Sequence, residues 1–358
     1  MSQLKARQEV NPDSTTDSTE TTDVVAPSAK REKPTPGLKS LRYQFEFFGL
    51  RLICALIPRL PYRWIHPIAN LAGFLFHYLD SRGRAVAIDN LRVAFGDTYD
   101  IAARNRIARA SFQNFARTML CLLWSPNLNH ENYQKYMRIE GLDMDPVDGC
   151  KNAHGIYILS HFSNFEWLSL GSSFAMGPGL AIAQTFKNPL IGPIFDHLRS
   201  LGGHSIIPPS RALVRMIKRL RAGGIVGAAA DLRINPRLGA VPVRCFGLWT
   251  SMSPMAGILH ERSHARLVPS QIFPEPDGFF RIVYHPPLEI PEGSTHQQIA
   301  QACWDAMEPI IRKNPELWLW SYKQWRYKPS NAPVGTYPFY SNLHARFENI
   351  LPQPEKSH

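Results

Sequence analysis

In the stretch ILSHFSNFEWLSLG, residues 158–171, His161, Asn164 and Glu166 stand where an apolar run ends and an amphipathic one begins. An imidazole with an ordinary pKa of about 6.5 can take a proton from a hydroxyl near neutral pH, and a carboxylate beside it can fix its tautomer and stabilise the imidazolium. His161 and Glu166 would differ by about 140° on one continuous helix, so they cannot share a face there. His161 is therefore expected just before a helix and Glu166 in its first turn. A second reading of the same residues needs no chemistry. Ser163 and Glu166 have capping-box spacing, with the Ser163 hydroxyl bonding the Glu166 amide and the Glu166 side chain reaching back. That reading leaves His161 and Asn164 unassigned, and local pattern alone keeps both open.

Other reactive arrangements are missing from the sequence. The chain has no G-x-S-x-G elbow, and its five cysteines, Cys54, Cys121, Cys150, Cys245 and Cys303, are scattered without a CxxC pair. Neither a disulfide framework nor a zinc site is suggested, and no metal or cofactor is expected. GGIVG, residues 223–227, lacks the spacing of a dinucleotide-binding turn. A base acting on a hydroxyl needs no covalent intermediate if the other substrate is an activated thioester.

The elements that must hold these residues follow from periodicity. From about residue 150, short β-rich runs alternate with helical ones: GIYILS, LAIAQT, HSIIP and GIVGAAAD as strands, with NFEWLSLGSSFA, NPLIGPIFDHLRSLG and RALVRMIKRLRAG as helices between them. Further strands are predicted in ARLVPSQIF and FFRIVYHPPLEI, and a helix from about Thr295 to Lys313. Such alternation predicts an α/β fold, a mixed, largely parallel sheet flanked by helices, whose ligand crevice lies at the carboxyl ends of the strands. His161 and Glu166 fall at the end of one such strand.

Upstream, residues 1–40 are rich in Ser, Thr, Asp, Glu and Pro and poor in large apolar side chains, which predicts a disordered tail. No apolar run suited to a cleavable signal peptide opens the chain. Residues 41–80 are strongly apolar, yet Glu46, Arg51, Pro58, Arg59, Pro61, Arg63 and Pro67 interrupt every window of spanning length. They are expected to form apolar helices that either lie at a membrane interface or cover the core. The formal net charge of +11 favours an anionic partner: nucleic acid, a phospholipid surface or an acidic cofactor. ELWLWSYKQWRY, with Lys323 and Arg326 among its aromatics, suits either stacking on bases or anchoring at a lipid interface.

SHFSNFEW resembles the H-x4-D/E block of the bacterial lipid A biosynthesis acyltransferases, with Ser163 in place of the usual glycine and Phe165 in place of tryptophan. The resemblance continues in order through KNPLIGPIFDHLRSLGGHSIIP, RALVRMIKRLRAGGIVGAAAD, VPVRCFGLWTSMSPMAGILHERSHARLVP and NPELWLWSYKQWRYKP, over roughly residues 45–330. It implies a glycerolipid acyltransferase-like fold with membrane-associated helices at 41–80, an acyltransferase domain at 81–330 and a C-terminal tail at 331–358. It implies acyl transfer from an acyl carrier protein or acyl-CoA thioester to a hydroxyl of a lipid acceptor, a lipid A precursor, at the cytoplasmic face of the inner membrane, and no nucleic-acid partner. His161 would be the base and Glu166 its partner, with Asn164 shaping the motif. Lys187 and Arg199 match basic positions that could hold a substrate phosphate. The family's usual Asp-Gln is Asp231-Leu232 here, so a polar contact there is either missing or supplied by Arg233 or Asn235. Asp231 itself could orient a basic neighbour or cap a helix.

Overall fold

The computed structural model describes residues 37–352, apart from 143, 146–148, 151–152, 184–185 and 211. The tail expected over residues 1–40 lies outside the described residues up to residue 36. The chain divides into two compact units at Leu41 and Arg42, and the site lies in the second.

The helices α1 (Gly37–Leu56), α2 (Ile65–Leu79), α3 (Ser81–Phe95) and α4 (Ile101–Trp124) come first. Pro58 and Pro61 stop α1 from running into α2, since each removes an amide donor and fixes its own φ. Asp80 and Asp100 start α3 and α4 by accepting the amides of Gly83 at 2.8 Å and Ala103 at 2.6 Å. No described helix is long and apolar enough to cross a membrane.

The strands and remaining helices then alternate. They are β1 (Met137–Glu140), β2 (Met144–Asp145), β3 (Gly149–Cys150), β4 (Gly155–Leu159), α5 (Phe165–Met176), β5 (Leu180–Ile182), α6 (Gly192–Arg199), β6 (Ser205–Ile207), α7 (Ala212–Arg221), β7 (Ile225–Ala229), β8 (Val241–Cys245), β9 (Leu248–Met252), α8 (Met255–Ser263), β10 (Leu267–Pro274), β11 (Phe280–Tyr284), α9 (His296–Lys313) and α10 (Ala345–Ile350). Seven strands form one sheet in the order β1-β11-β10-β4-β7-β5-β6, parallel at every junction except β10–β11. This is the mixed, largely parallel sheet expected from the sequence. β4 lies at its centre and is apolar on both faces, as a covered parallel strand must be.

Two hydrophobic cores sandwich the sheet. Ile156, Ile158, Val226 and Ala228 pack with α8 and α9 on one face, while Tyr157, Ile225 and Val268 pack with Trp167, Leu168 and Leu170 of α5 on the other. The chain then closes with Trp318, Trp320 and Trp325 buried in the α8/α9-side core, where none can stack on a base. Beyond residue 330 the chain stays packed as far as it is described: Phe347 is fully buried, and the Tyr340 hydroxyl meets the Asn90 side chain at 2.5 Å.

α2 and α4 approach closely at Gly73, where a Cβ would stand 2.7 Å from the Gln113 amide nitrogen and collide with its Cα. Gly73→Ala is expected to destabilise the protein by about 1–3 kcal/mol, because overpacking against backbone outweighs the roughly 1 kcal/mol gained in helix propensity. Denaturant unfolding followed by tryptophan fluorescence measures it.

Candidate active site

β4 ends at Leu159, and the next residues turn across the carboxyl edge of the sheet before α5 begins. The closing segment straps this turn in place: the Ser163 amide donates to the Leu317 carbonyl at 2.7 Å, and the Leu319 amide donates to the His161 carbonyl at 3.2 Å. From α4, the Thr118 hydroxyl holds the Ser163 carbonyl at 2.8 Å. Ser163 itself adopts φ +51°, a left-handed conformation that favours glycine. Asn164, not Ser163, caps α5, its side-chain oxygen accepting the Trp167 amide at 3.2 Å. The capping box expected of Ser163 and Glu166 is therefore not formed, because Ser163 is turned out of the capping geometry.

His161 precedes the helix and Glu166 sits in its first turn, as the spacing requires, but the two are not bonded to each other. The imidazole partner is Asp231, two residues beyond the end of β7, whose carboxylate accepts from Nδ1 of His161 at 2.9 Å and from the His161 backbone amide at 2.7 Å. The Trp318 indole supplies a third donor at 2.9 Å. Asp231 is almost wholly buried, and burial alone would raise its pKa. The His161 charge and the three hydrogen bonds outweigh burial and hold it below the ordinary carboxylate value. For His161, burial disfavours the charged form, but Asp231 more than reverses this and lifts the pKa above 6.5, with a smaller contribution of the same sign from Glu166 and an opposing one from Arg199.

Glu166 is instead gripped by Arg199, at the end of α6. Nε donates to its two oxygens at 2.9 and 3.1 Å, and Nη2 donates at 2.5 Å. Expected as a phosphate contact, Arg199 is thus committed to a carboxylate, and Glu166 shields most of its charge. Lys187 is exposed on the loop before α6 and does not line the cavity. Arg233 donates to the Lys323 carbonyl at 3.2 Å and lies over the rings of Tyr322 and Tyr327, holding the closing segment. Asn235 caps a short turn by accepting the Arg237 amide at 3.0 Å. Among the described residues neither reaches the cavity, whereas Leu232 does. The position where a polar contact was sought is apolar.

A cavity of about 510 Å³ opens beside His161. Phe165 and Glu166, the first residues of α5, line it, as do Ala181, Gly227, Ala229 and Met176. With Nδ1 engaged by Asp231, the other imidazole nitrogen is free for a substrate proton. The described residues contain no cluster of His, Cys, Asp or Glu fit to hold a metal ion.

Such a site suits general-base chemistry on a substrate with a long apolar part, within an α/β frame. Residues 32–327 match the profile of the bacterial lipid A biosynthesis acyltransferases. The chain belongs to that family. A lipid A biosynthesis lauroyltransferase of Escherichia coli (strain K12) is 24% identical over 301 residues, spanning 82% of this chain and 94% of that protein. Among solved structures, a 1-acyl-sn-glycerophosphate (LPA) acyltransferase from Thermotoga maritima aligns at a TM-score of 0.34 and 15% identity, over 69% of this chain and 97% of that one.

Two predictions separate the carboxylates. With His161 acting as the base its neutral form would be the competent one, so kcat/KM is expected to rise as pH passes upward through the His161 pKa, with a midpoint above 6.5. Asp231→Asn removes the opposing charge and leaves burial dominant. The midpoint then moves below 6.5 and the plateau falls on the order of 10²–10⁴-fold, which a pH–rate profile of acyl transfer reads directly. Glu166→Gln moves the midpoint only slightly downward, because its effect on His161 is the smaller one. It lowers stability by about 3 kcal/mol, since the buried Arg199 charge loses its partner, and thermal unfolding shows the loss.

Proposed function

We propose that the protein transfers a fatty acyl chain from an acyl carrier protein or acyl-CoA thioester to a hydroxyl of a lipid A precursor. The observation that carries this reading is His161, oriented by Asp231, at the mouth of a cavity whose walls are mostly apolar. His161 takes the proton from the acceptor hydroxyl, and the oxygen attacks the thioester carbonyl. A C–O bond forms, the C–S bond breaks, and the imidazolium returns its proton to the departing sulfur. The first two residues of α5 line the cavity together with His161, so the positive end of that helix is available to the carbonyl oxygen as it gains charge. Asp231 keeps the acceptor nitrogen of the imidazole facing the substrate.

The reaction takes place at the cytoplasmic face of the inner membrane, where the protein rests as a peripheral or monotopic enzyme. What supports this is the outer surface of α1 and α2. Phe45, Phe48, Leu52 and Leu56 repeat at helical spacing along α1 and are all more than half exposed, with Arg51 among them. Trp64, Leu71 and Leu79 continue the apolar exposure on and just before α2, near Arg59 and Arg63. A stripe of this kind, edged by arginines and carried on helices too interrupted to span, suits insertion at the headgroup boundary of an anionic bilayer.

Detergent-solubilised protein offered acyl carrier protein thioesters and acyl-CoA of several chain lengths, against a lipid A precursor and a lysophospholipid, tests the reading. Transfer to the lipid A precursor that disappears in His161→Ala, with the protein still folded, is the expected result. Transfer only to the lysophospholipid replaces the acceptor, and no turnover with any pair in folded protein overturns the proposal.

A further inference from the structure

The cavity that begins at His161 reaches both hydrophobic cores. Register partners in a parallel sheet share a face, so Tyr157, Gly227 and Ala181 look towards α5, while Ala228 and Ile158 look towards α8 and α9. The cavity is lined by Tyr157, Gly227 and Ala181, and equally by Ala228, Ala256 and Ala300. A space confined to one side of the sheet could not touch both sets. The passage between them follows from the strand pairing. β5 meets β7 only at Leu180–Val226 and Ala181–Gly227, whereas β7 continues beside β4 to Ala229. Beyond Ala181 the strands part, and Ile182 and Ala183 line the cavity opposite Ala228, Ala229 and Ala230.

The cavity therefore has two limbs that join near His161. The limb on the α5 side runs beneath Ser169, Ser172 and Met176 and reaches the level of Ile225, which pairs with Gly155 at the start of β4. Gly155 to Leu159 spans about 13 Å along the strand, and His161 lies two residues beyond. Its lining there includes the buried His204. Burial pushes the His204 pKa down to about 4, so the end stays uncharged at neutral pH. The other limb enters the space among Ser253, Met255, Ala256, Ala300 and Cys303, where small side chains at the start of α8 and along α9 leave room.

We infer that the two limbs hold two different alkyl chains at once: the acyl chain of the donor in the long limb beneath α5, and an alkyl chain of the lipid acceptor in the limb between the sheet and α8/α9. This deepens the acyl-transfer reading and rests on it. The donor has one unbranched chain that must place its carbonyl at His161 while its carrier stays outside, which a long apolar limb accommodates. The acceptor keeps a polar head at the surface and needs only a second apolar slot reaching the same histidine. Both reacting groups then meet at one base without crossing.

Variants that fill one limb at a time test this. Gly227→Leu blocks the limb beneath α5, and Ala300→Phe blocks the other. Gly227→Ala and Ala300→Val are milder companions, the former adding a Cβ whose nearest neighbour is the Ala181 Cβ at 3.9 Å. In transfer assays, the Gly227 variants are expected to shift donor preference to shorter acyl chains, roughly tenfold or more in kcat/KM for each methylene excluded, with the acceptor KM unchanged. The Ala300 variants are expected to raise the acceptor KM by a similar factor and leave the donor chain-length profile unchanged. Both variants shifting the donor profile alike would mean a single acyl tunnel and overturn the inference. A readout independent of turnover is the number of dodecanoate molecules retained by the full chain, counted by native mass spectrometry. The wild type should hold one more than either blocked variant, and two more than the double variant. An equal count in wild type and Ala300→Phe overturns the second limb. If the wild type transfers nothing, the acyl-transfer reading fails, while the dodecanoate count still decides between one limb and two.

Discussion

The site depends on one buried carboxylate. Asp231 sits 3% exposed, with its charge met by three N–H donors from two distant parts of the chain: the backbone and ring of His161, and the indole of Trp318. An ionised carboxylate out of water is strongly disfavoured unless such donors are present, so each of the three is held by the cost of losing it. This requirement brings the ends of β4 and β7 together with the closing segment after α9. The bridge between Phe162 and Trp318 and the amide of Leu319 on the His161 carbonyl belong to the same arrangement. The base can be rigid because the group that orients it must itself be satisfied from several sides.

What the sequence made legible was local. Strand-and-helix alternation gave the mixed sheet, and the spacing of His161 and Glu166 placed one before a helix and the other in its first turn. The same local view paired the two, and there it failed. The partner of His161 lies seventy positions away, at the end of a neighbouring strand, and only the sheet order makes them adjacent. Asp231 is expected from the sequence either to orient a basic neighbour or to cap a helix. Nothing in periodicity could say that the neighbour was this histidine. The edge strand β1 and the hairpin of β8 and β9 were likewise unforeseen as strands. β1 has four residues with mixed exposure, too few to show a period. Ser163 stands at the glycine of the motif the sequence resembles, a position that favours positive φ, and φ there is +51°.

The cavity shows the same limit from another side. GIVGAAAD was legible as a strand, but its significance lies in what it lacks. Gly227, Ala228, Ala229 and Ala230 present almost no side chain to either face, and Ala181 of β5 and Ala183 just beyond it line the same cavity. A sheet so built cannot fill the space beneath its own helices, and the space left is where the substrate's apolar part belongs. Leu232 fits that picture as it stands. At the mouth of an apolar cavity a leucine continues the lining, and no compensating polar group from Arg233 or Asn235 is needed.

Glu166 then needs an account other than the one its spacing suggested. Placed at the first turn of α5, its side chain is directed around the helix and away from Nδ1 of His161, and it meets Arg199 from α6 instead. The pair joins α5 to α6 across the lip of the cavity. It also acts on the base without touching it: Glu166 favours the imidazolium and Arg199 disfavours it. The two charges are locked together and act on His161 in opposite directions, and Asp231 is the larger influence on the basicity of the imidazole. A carboxylate five positions from the histidine can thus be indispensable to the shape of the site while the proton chemistry is governed by another one, seventy positions away.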